Sequence, residues 1–225
     1  MTNGYPMKTD LYTFVHKAQR RMLFALSERI ARADFSDAAD TTAVDEALRE
    51  ALDHLREHAA IEEHYIHPLY RALGSAGEGL DVAAEFDAEH ELLEREIEAL
   101  GRIAGDARWN ELHRAYNGFL GRYLVHLEEE EAAQEAVLWK HYDAELAEVF
   151  ARFQRERAPE KLRDDLEMFL PALSAPELTK MFAGMKLRAP DPVFQFAQGL
   201  AAEMTPPEIW AKVKAAISNP TPPSP

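Results

Sequence analysis

The chain has 225 residues, no cysteine and a formal net charge of −15 at pH 7. That charge argues against a nucleic-acid partner and against an anionic membrane surface. Without thiols there are no disulfides, thiolate zinc sites or cysteine-held iron–sulfur clusters, so histidines and carboxylates are the side chains left to hold a metal.

The first helix is expected from a cap at Thr9 or Asp10 to about Ala33. Leu11, Val15, Met22, Leu26 and Ile30 lie near its apolar face, with His16 close by. Asp34 to Thr42 reads as a polar linker. The second helix carries an inward stripe of Leu48, Leu52, Leu55, Ala59, Glu62, Ile66, Leu69 and Leu73. Glu62 breaks that stripe, with His58 one turn before it, and a carboxylate there is costly unless something pairs with it. Pro68 predicts a kink or a weakened last turn, and the glycines at 74, 77 and 79 end the helix.

A third helix, from about Leu80 to Ile103, repeats the anomaly: His90 stands among Ala83, Phe86, Leu93, Ile97 and Leu100. The fourth is expected from about Asn110 to Tyr142, extending toward Arg157. Its stripe is Leu112, Tyr116, Phe119, Tyr123, Leu127, Glu130, Ala133 and Val137, with His126 one turn before Glu130. Four long helices on short linkers predict an all-α, up-down-up-down four-helix bundle over residues 1–157. Residues 158–217 read as an appendage of short helices. Ser174-Ala175-Pro176-Glu177 and Thr205-Pro206-Pro207-Glu208 are two capping-box starts, and Asp191 is a further candidate cap. Residues 218–225 form a proline-rich tail expected to be disordered. No basic-then-apolar leader opens the chain and no apolar run reaches spanning length, so the expected compartment is the cytoplasm and no membrane is involved.

The chemistry lies in the residues that break the stripes. His58-x-x-x-Glu62 and His126-x-x-x-Glu130 each set an imidazole and a carboxylate on one helix face. Counted from the linkers at about 1.5 Å per residue, His16, His58, Glu62, His90, His126 and Glu130 fall within one turn in height. Two buried carboxylates and four imidazoles would be a frustrated core without a cation. Two metals resolve it: Glu62 and Glu130 can bridge, the imidazoles bind terminally, and open positions remain for an exogenous ligand. That donor set favours two iron ions, possibilities besides iron being manganese or zinc.

Over roughly residues 9–145 this pattern resembles the hemerythrin family, in its bacterial HHE cation-binding branch. The resemblance matches His16 to the first-helix ligand, His58 and Glu62 to the second-helix pair, His90 to the third-helix ligand, and His126 and Glu130 to the fourth-helix pair. The chain departs from the oxygen carriers at Glu94, where they have a second third-helix histidine, and at Glu130, where their aspartate comes one residue later. It thus resembles the more symmetric four-His, two-Glu centres of the iron-centre-repair proteins, without their cysteine-bearing domain. The resemblance implies a non-haem di-iron protein that binds or senses O2, NO or peroxide. The alternatives are a di-iron redox enzyme (oxidase, peroxidase or NO-handling) and iron storage or delivery, so whether the chain is an enzyme stays open.

Among the other candidates, His54 is expected in an outer or surface position, and His64, His67, His113 and His141 at the surface or rim. Glu94 is expected to be exposed, Tyr65 and Tyr123 to pack, and a shifted register would exchange Glu63 for Glu62. Met168, Phe169, Met181, Phe182, Met185, Phe194 and Phe196 are expected to form the appendage core, with a homodimer contact or a protein partner as further uses.

Overall fold

The structure is a computed structural model that describes residues 8–75, 82–142 and 144–218, which are helices and turns with no strand among them. The expected disorder of the tail from 219 onward, the glycines at 77 and 79 and the start of the third helix at Leu80 lie outside the described residues.

Helix α1 runs Thr13–Arg32. Asp10 caps it, its Oδ1 accepting from the backbone N–H of Tyr12 at 3.1 Å and of Thr13 at 3.0 Å, which satisfies two of the donors a helix start leaves open. Its buried stripe is Tyr12, His16, Gln19, Leu23, Leu26 and Ile30. The helix is therefore turned from the expected face: Leu11, Val15 and Met22 are half-buried, and His16 sits in the centre of the stripe. Helix α2, Ala38–Tyr65, begins inside the expected linker because Asp37 accepts from Ala39 N–H at 2.7 Å and closes an N-cap. It stops before Pro68, and α3, His67–Ser75, starts afresh. The kink is thus a break at Ile66. Helix α4 spans Val82–Gly105 and α5 spans Trp109–Ala133.

The fourth long helix does not continue as an α-helix. A π-turn, Gln134–Leu138, leads into the short α6, Trp139–His141, and α7 follows at Ala144–Glu156. The wider turn moves the stripe by one residue, so Gln134 and Leu138 are buried where Ala133 and Val137 were expected.

The described chain divides into two compact units, Met22–Phe153 and, in the other, residues 1–21 together with Gln154–Pro225. The first has a core of Leu23, Leu26 and Ile30 from α1, Leu48, Leu52 and Leu55 from α2, Leu93, Ile97 and Leu100 from α4, and Leu112, Phe119 and Leu127 from α5. These four long helices are a helical bundle. The Tyr116 hydroxyl is buried within it and donates to the Leu23 carbonyl at 2.9 Å, which satisfies the polar end of a core ring.

The other unit contains α8 (Lys161–Phe169), α9 (Ala175–Arg188), α10 (Asp191–Met204) and α11 (Pro207–Ser218). Its core is built on Leu166, Leu170, Leu178, Phe182, Leu200, Trp210 and Val213, and Phe14 of α1 packs on it. Lys17 of α1 donates to Glu177 of α9 at 2.6 Å. The Ser174 start forms as expected, with Ser174 N–H donating to Glu177 at 2.8 Å. The Thr205 start does not: its buried Oγ1 has no hydrogen-bond partner among the described residues. Asp191 is the first residue of α10, where Pro190 takes the cap position. Of the expected aromatic and methionine core, Phe182 is fully buried, whereas Phe196 is exposed.

Candidate metal centre

Helices α2, α4 and α5 each deliver polar residues to the interior of the first unit through the periodicity of their stripes. On α2, His58 and Glu62 stand one turn apart, both buried, with His58 Nε2 at 3.0 Å from Glu62 Oε1. On α5, His126 and Glu130 repeat the device, with Nε2 to Oε1 at 3.3 Å. Between them α4 places His90, whose Nε2 is 3.6 Å from Glu62 Oε2 and 3.6 Å from Glu130 Oε1. Within Met22–Phe153, the donor atoms of Glu62, His90, His126 and Glu130 all lie within 4.8 Å of one another. His16 belongs to the other unit, where it is wholly buried on α1 with its ring 5.0 Å from that of Tyr12.

The outer nitrogens show which way the rings are set. His90 Nδ1 donates to Glu63 Oε1 at 3.1 Å, and His126 Nδ1 donates to Glu89 Oε2 at 2.8 Å. Both carboxylates are partly exposed. A carboxylate on Nδ1 fixes the tautomer with the lone pair on Nε2, which is the orientation a metal-binding imidazole needs. His90 Nε2 is buried and has no hydrogen-bond partner among the described residues. Burial by itself pulls its pKa down, but Glu130 and Glu62 outweigh that and hold it at about 9. In a protein interior this donor set, two carboxylates beside imidazole nitrogens that a cation can claim from a proton, fits a bound cation.

Of the two register alternatives, Glu62 is buried, whereas Glu63 is exposed and accepts from the outer nitrogen of His90. Glu94 is half-exposed and accepts from Arg56 Nε at 3.0 Å. His64, His113 and His141 are exposed. Tyr65 packs, its ring 5.6 Å from that of Phe153 and 4.7 Å from the Arg152 guanidinium. Tyr123 is buried 5.8 Å from the His126 ring.

One assignment is overturned. His67, expected at the surface or rim, is wholly buried. The break at Ile66 restarts the helix and turns His67 inward, where its Nδ1 donates to Asp87 at 2.7 Å. The sequence offered Glu63 only as the register alternative to Glu62 and did not single out Glu89; nothing in the pattern marks either as a partner of an imidazole, since most glutamates of the chain lie beside a buried position. A cleft of about 410 Å³ opens beside the carboxylates, lined by Leu55, Ala59, Glu62, His90, Leu93, Tyr123 and His126 among others.

Comparison with known families agrees with this geometry: the hemerythrin HHE cation-binding domain matches residues 7–138. Neither the curated proteins nor the solved structures give a match. No helix among the described residues is long and apolar enough to cross a membrane. With a bundle of four long helices, a buried His/Glu group able to hold a metal and a family match over more than half its length, the chain belongs to the hemerythrin HHE cation-binding family.

Proposed function

We propose that the protein is a non-haem di-iron protein that binds or senses O2 or a related small oxidant, NO or peroxide. Glu62 and Glu130 would hold the metal with His58, His90 and His126, and His16 is the remaining ligand expected from the sequence. The assignment of His16 rests on the register of the helices in the sequence. The observation that carries the reading is His90 Nε2, buried, without a hydrogen-bond partner among the described residues, and equidistant at 3.6 Å from the two carboxylates. Iron, when bound, supplies reversible redox chemistry and open coordination positions for a small ligand. The chain's own residues hold the site: Glu63 and Glu89 orient two imidazoles, and Leu55, Leu93 and Ile97 keep the adjoining wall apolar.

Metal analysis with an optical spectrum of the iron-loaded protein tests this. An oxygenated spectrum that reverses under argon supports binding. The second reading, a di-iron redox enzyme, draws on the cleft, whose volume of about 410 Å³ exceeds what a diatomic needs. Rapid consumption of peroxide or NO with loss of that spectrum would favour it.

A further inference from the structure

Burial sorts the lining of the cleft of about 410 Å³ into an inner end and a mouth. Glu62, His90 and His126 are its buried polar residues, and Leu55, Leu93, Ile97 and Tyr123 its buried apolar ones. At the mouth each charged side chain of the lining already has a partner. Arg56 Nε donates to Glu94 at 3.0 Å, His90 Nδ1 to Glu63 at 3.1 Å, and Arg95 lies 3.8 Å from Glu91. An apolar body with a few polar groups converging at one end is how a small-molecule site is built.

Size and charge decide what such a site takes. A cavity of about 150 Å³ accommodates benzene, and a water needs about 30 Å³. The cleft is therefore far too roomy for a diatomic or for peroxide, and it has space for two fused rings. Tyr123 offers a flat wall, held by the ring of Phe119 at 5.5 Å and that of His126 at 5.8 Å. An anion would meet Glu63, Glu91 and Glu94 against only Arg56 and Arg95, on a chain of net charge −15. A cation would meet the bound metal. An uncharged molecule meets neither cost.

A neighbouring cleft of about 440 Å³ between α2 and α4 shares Arg56 and Ile97 with the first, but none of the metal candidates lines it. Its charged residues are the pairs Arg49–Asp45, Arg56–Asp53 and Arg102–Glu98. It offers the same space without the convergent polar groups, and so serves as an internal control.

We propose that the cleft beside Glu62, His90 and His126 is a binding site for an uncharged aromatic molecule of about two rings. Its apolar body lies against Leu93, Ile97 and Tyr123, and its polar end points to the buried imidazoles. The proposal deepens the second reading above by naming the class of organic ligand, and it rests on the di-iron reading only for the metal beside which that ligand lies.

The test titrates the full-length protein, loaded with redox-silent zinc, with naphthol, naphthoate and protonated naphthylmethylamine. Metal content comes first: a chain that retains no metal refutes the di-iron reading, and naphthol is then titrated into the metal-free chain, where the cleft alone decides. Naphthol should bind with a Kd of about 0.1 mM, at least tenfold tighter than either charged analogue binds the zinc form. Its protons should show nuclear Overhauser contacts to the methyl groups of Leu55, Leu93 and Ile97. Ala59→Phe, which fills the cleft from its half-buried wall, should lower the affinity at least tenfold with zinc content and unfolding temperature unchanged. Gly101→Leu, in the neighbouring cleft where an added Cβ meets nothing within 4 Å, should bind naphthol within twofold of wild type. Should Ala59→Phe lose zinc or fail to fold, the Overhauser contacts in the wild type decide alone. No saturable binding, contacts to other methyl groups, tighter binding of a charged analogue, full affinity in a folded Ala59→Phe, or a loss in Gly101→Leu would overturn the proposal.

Discussion

The metal-free protein should lose stability as the pH rises from neutral to mildly alkaline, and His90 sets the size of the effect. Its folded-state pKa is about 9, against 6.5 for the unperturbed side chain. The folded state binds this proton more tightly than the unfolded chain does. Its contribution is therefore complete below pH 6.5 and fades as the pH climbs toward 9. The difference between 9 and 6.5 is 2.5 units, which at about 1.4 kcal/mol per unit caps the loss at about 3–4 kcal/mol. His90 is almost fully buried, so solvent screening takes little from that ceiling. Glu130 and Glu62 are the cause, so Glu130→Gln, which keeps the shape and removes the charge, should flatten most of the slope. The assay is urea unfolding of the chelator-treated protein at intervals between pH 6 and 10. A flat profile in the wild type, or an unchanged slope in Glu130→Gln, would refute the reasoning. Metal should reverse the trend, because a cation competes with the proton for the same nitrogen and gains as the pH rises.

Glu89→Gln, and separately Glu63→Gln, should weaken metal affinity about 10- to 100-fold with little change in thermal stability, since each carboxylate orients an imidazole from outside; competition with a chelator reads this. In the C-terminal helices, burial opposes the effect, but Lys17 and Ser174 hold Glu177 below its usual carboxylate range. Its contribution is thus present above pH 4.5 and lost as the pH falls through its folded pKa. Glu177→Ala should cost about 1 kcal/mol at pH 7, most of it from the capping box, and progressively less as the pH falls through the folded pKa, read by thermal unfolding.

The bundle and most of its site were legible because periodicity is a strong signal over long helices. Glu62, His90 and Glu130 each interrupt an apolar stripe, and all three are buried. The misreadings share a local cause. Asp37 capped α2 early, the π-turn after Ala133 shifted Leu138 inward, and the restart at His67 buried a residue that a continuous helix would have left outside. Backbone hydrogen bonding decides each of these, and a stripe of hydrophobic residues does not register it. The partition of α1 was also out of reach, since Phe14 packing on the C-terminal core and the Lys17–Glu177 pair join positions about 160 residues apart.

The central claim is that Glu62 and Glu130 hold two metals between them, and metal counting tests it most directly. Iron-loaded, gel-filtered wild type should carry two iron ions per chain, and Glu62→Ala or Glu130→Ala should carry one or none, while His113→Ala keeps both. Less than one iron per chain in the wild type, or full retention in either glutamate variant, would contradict the account.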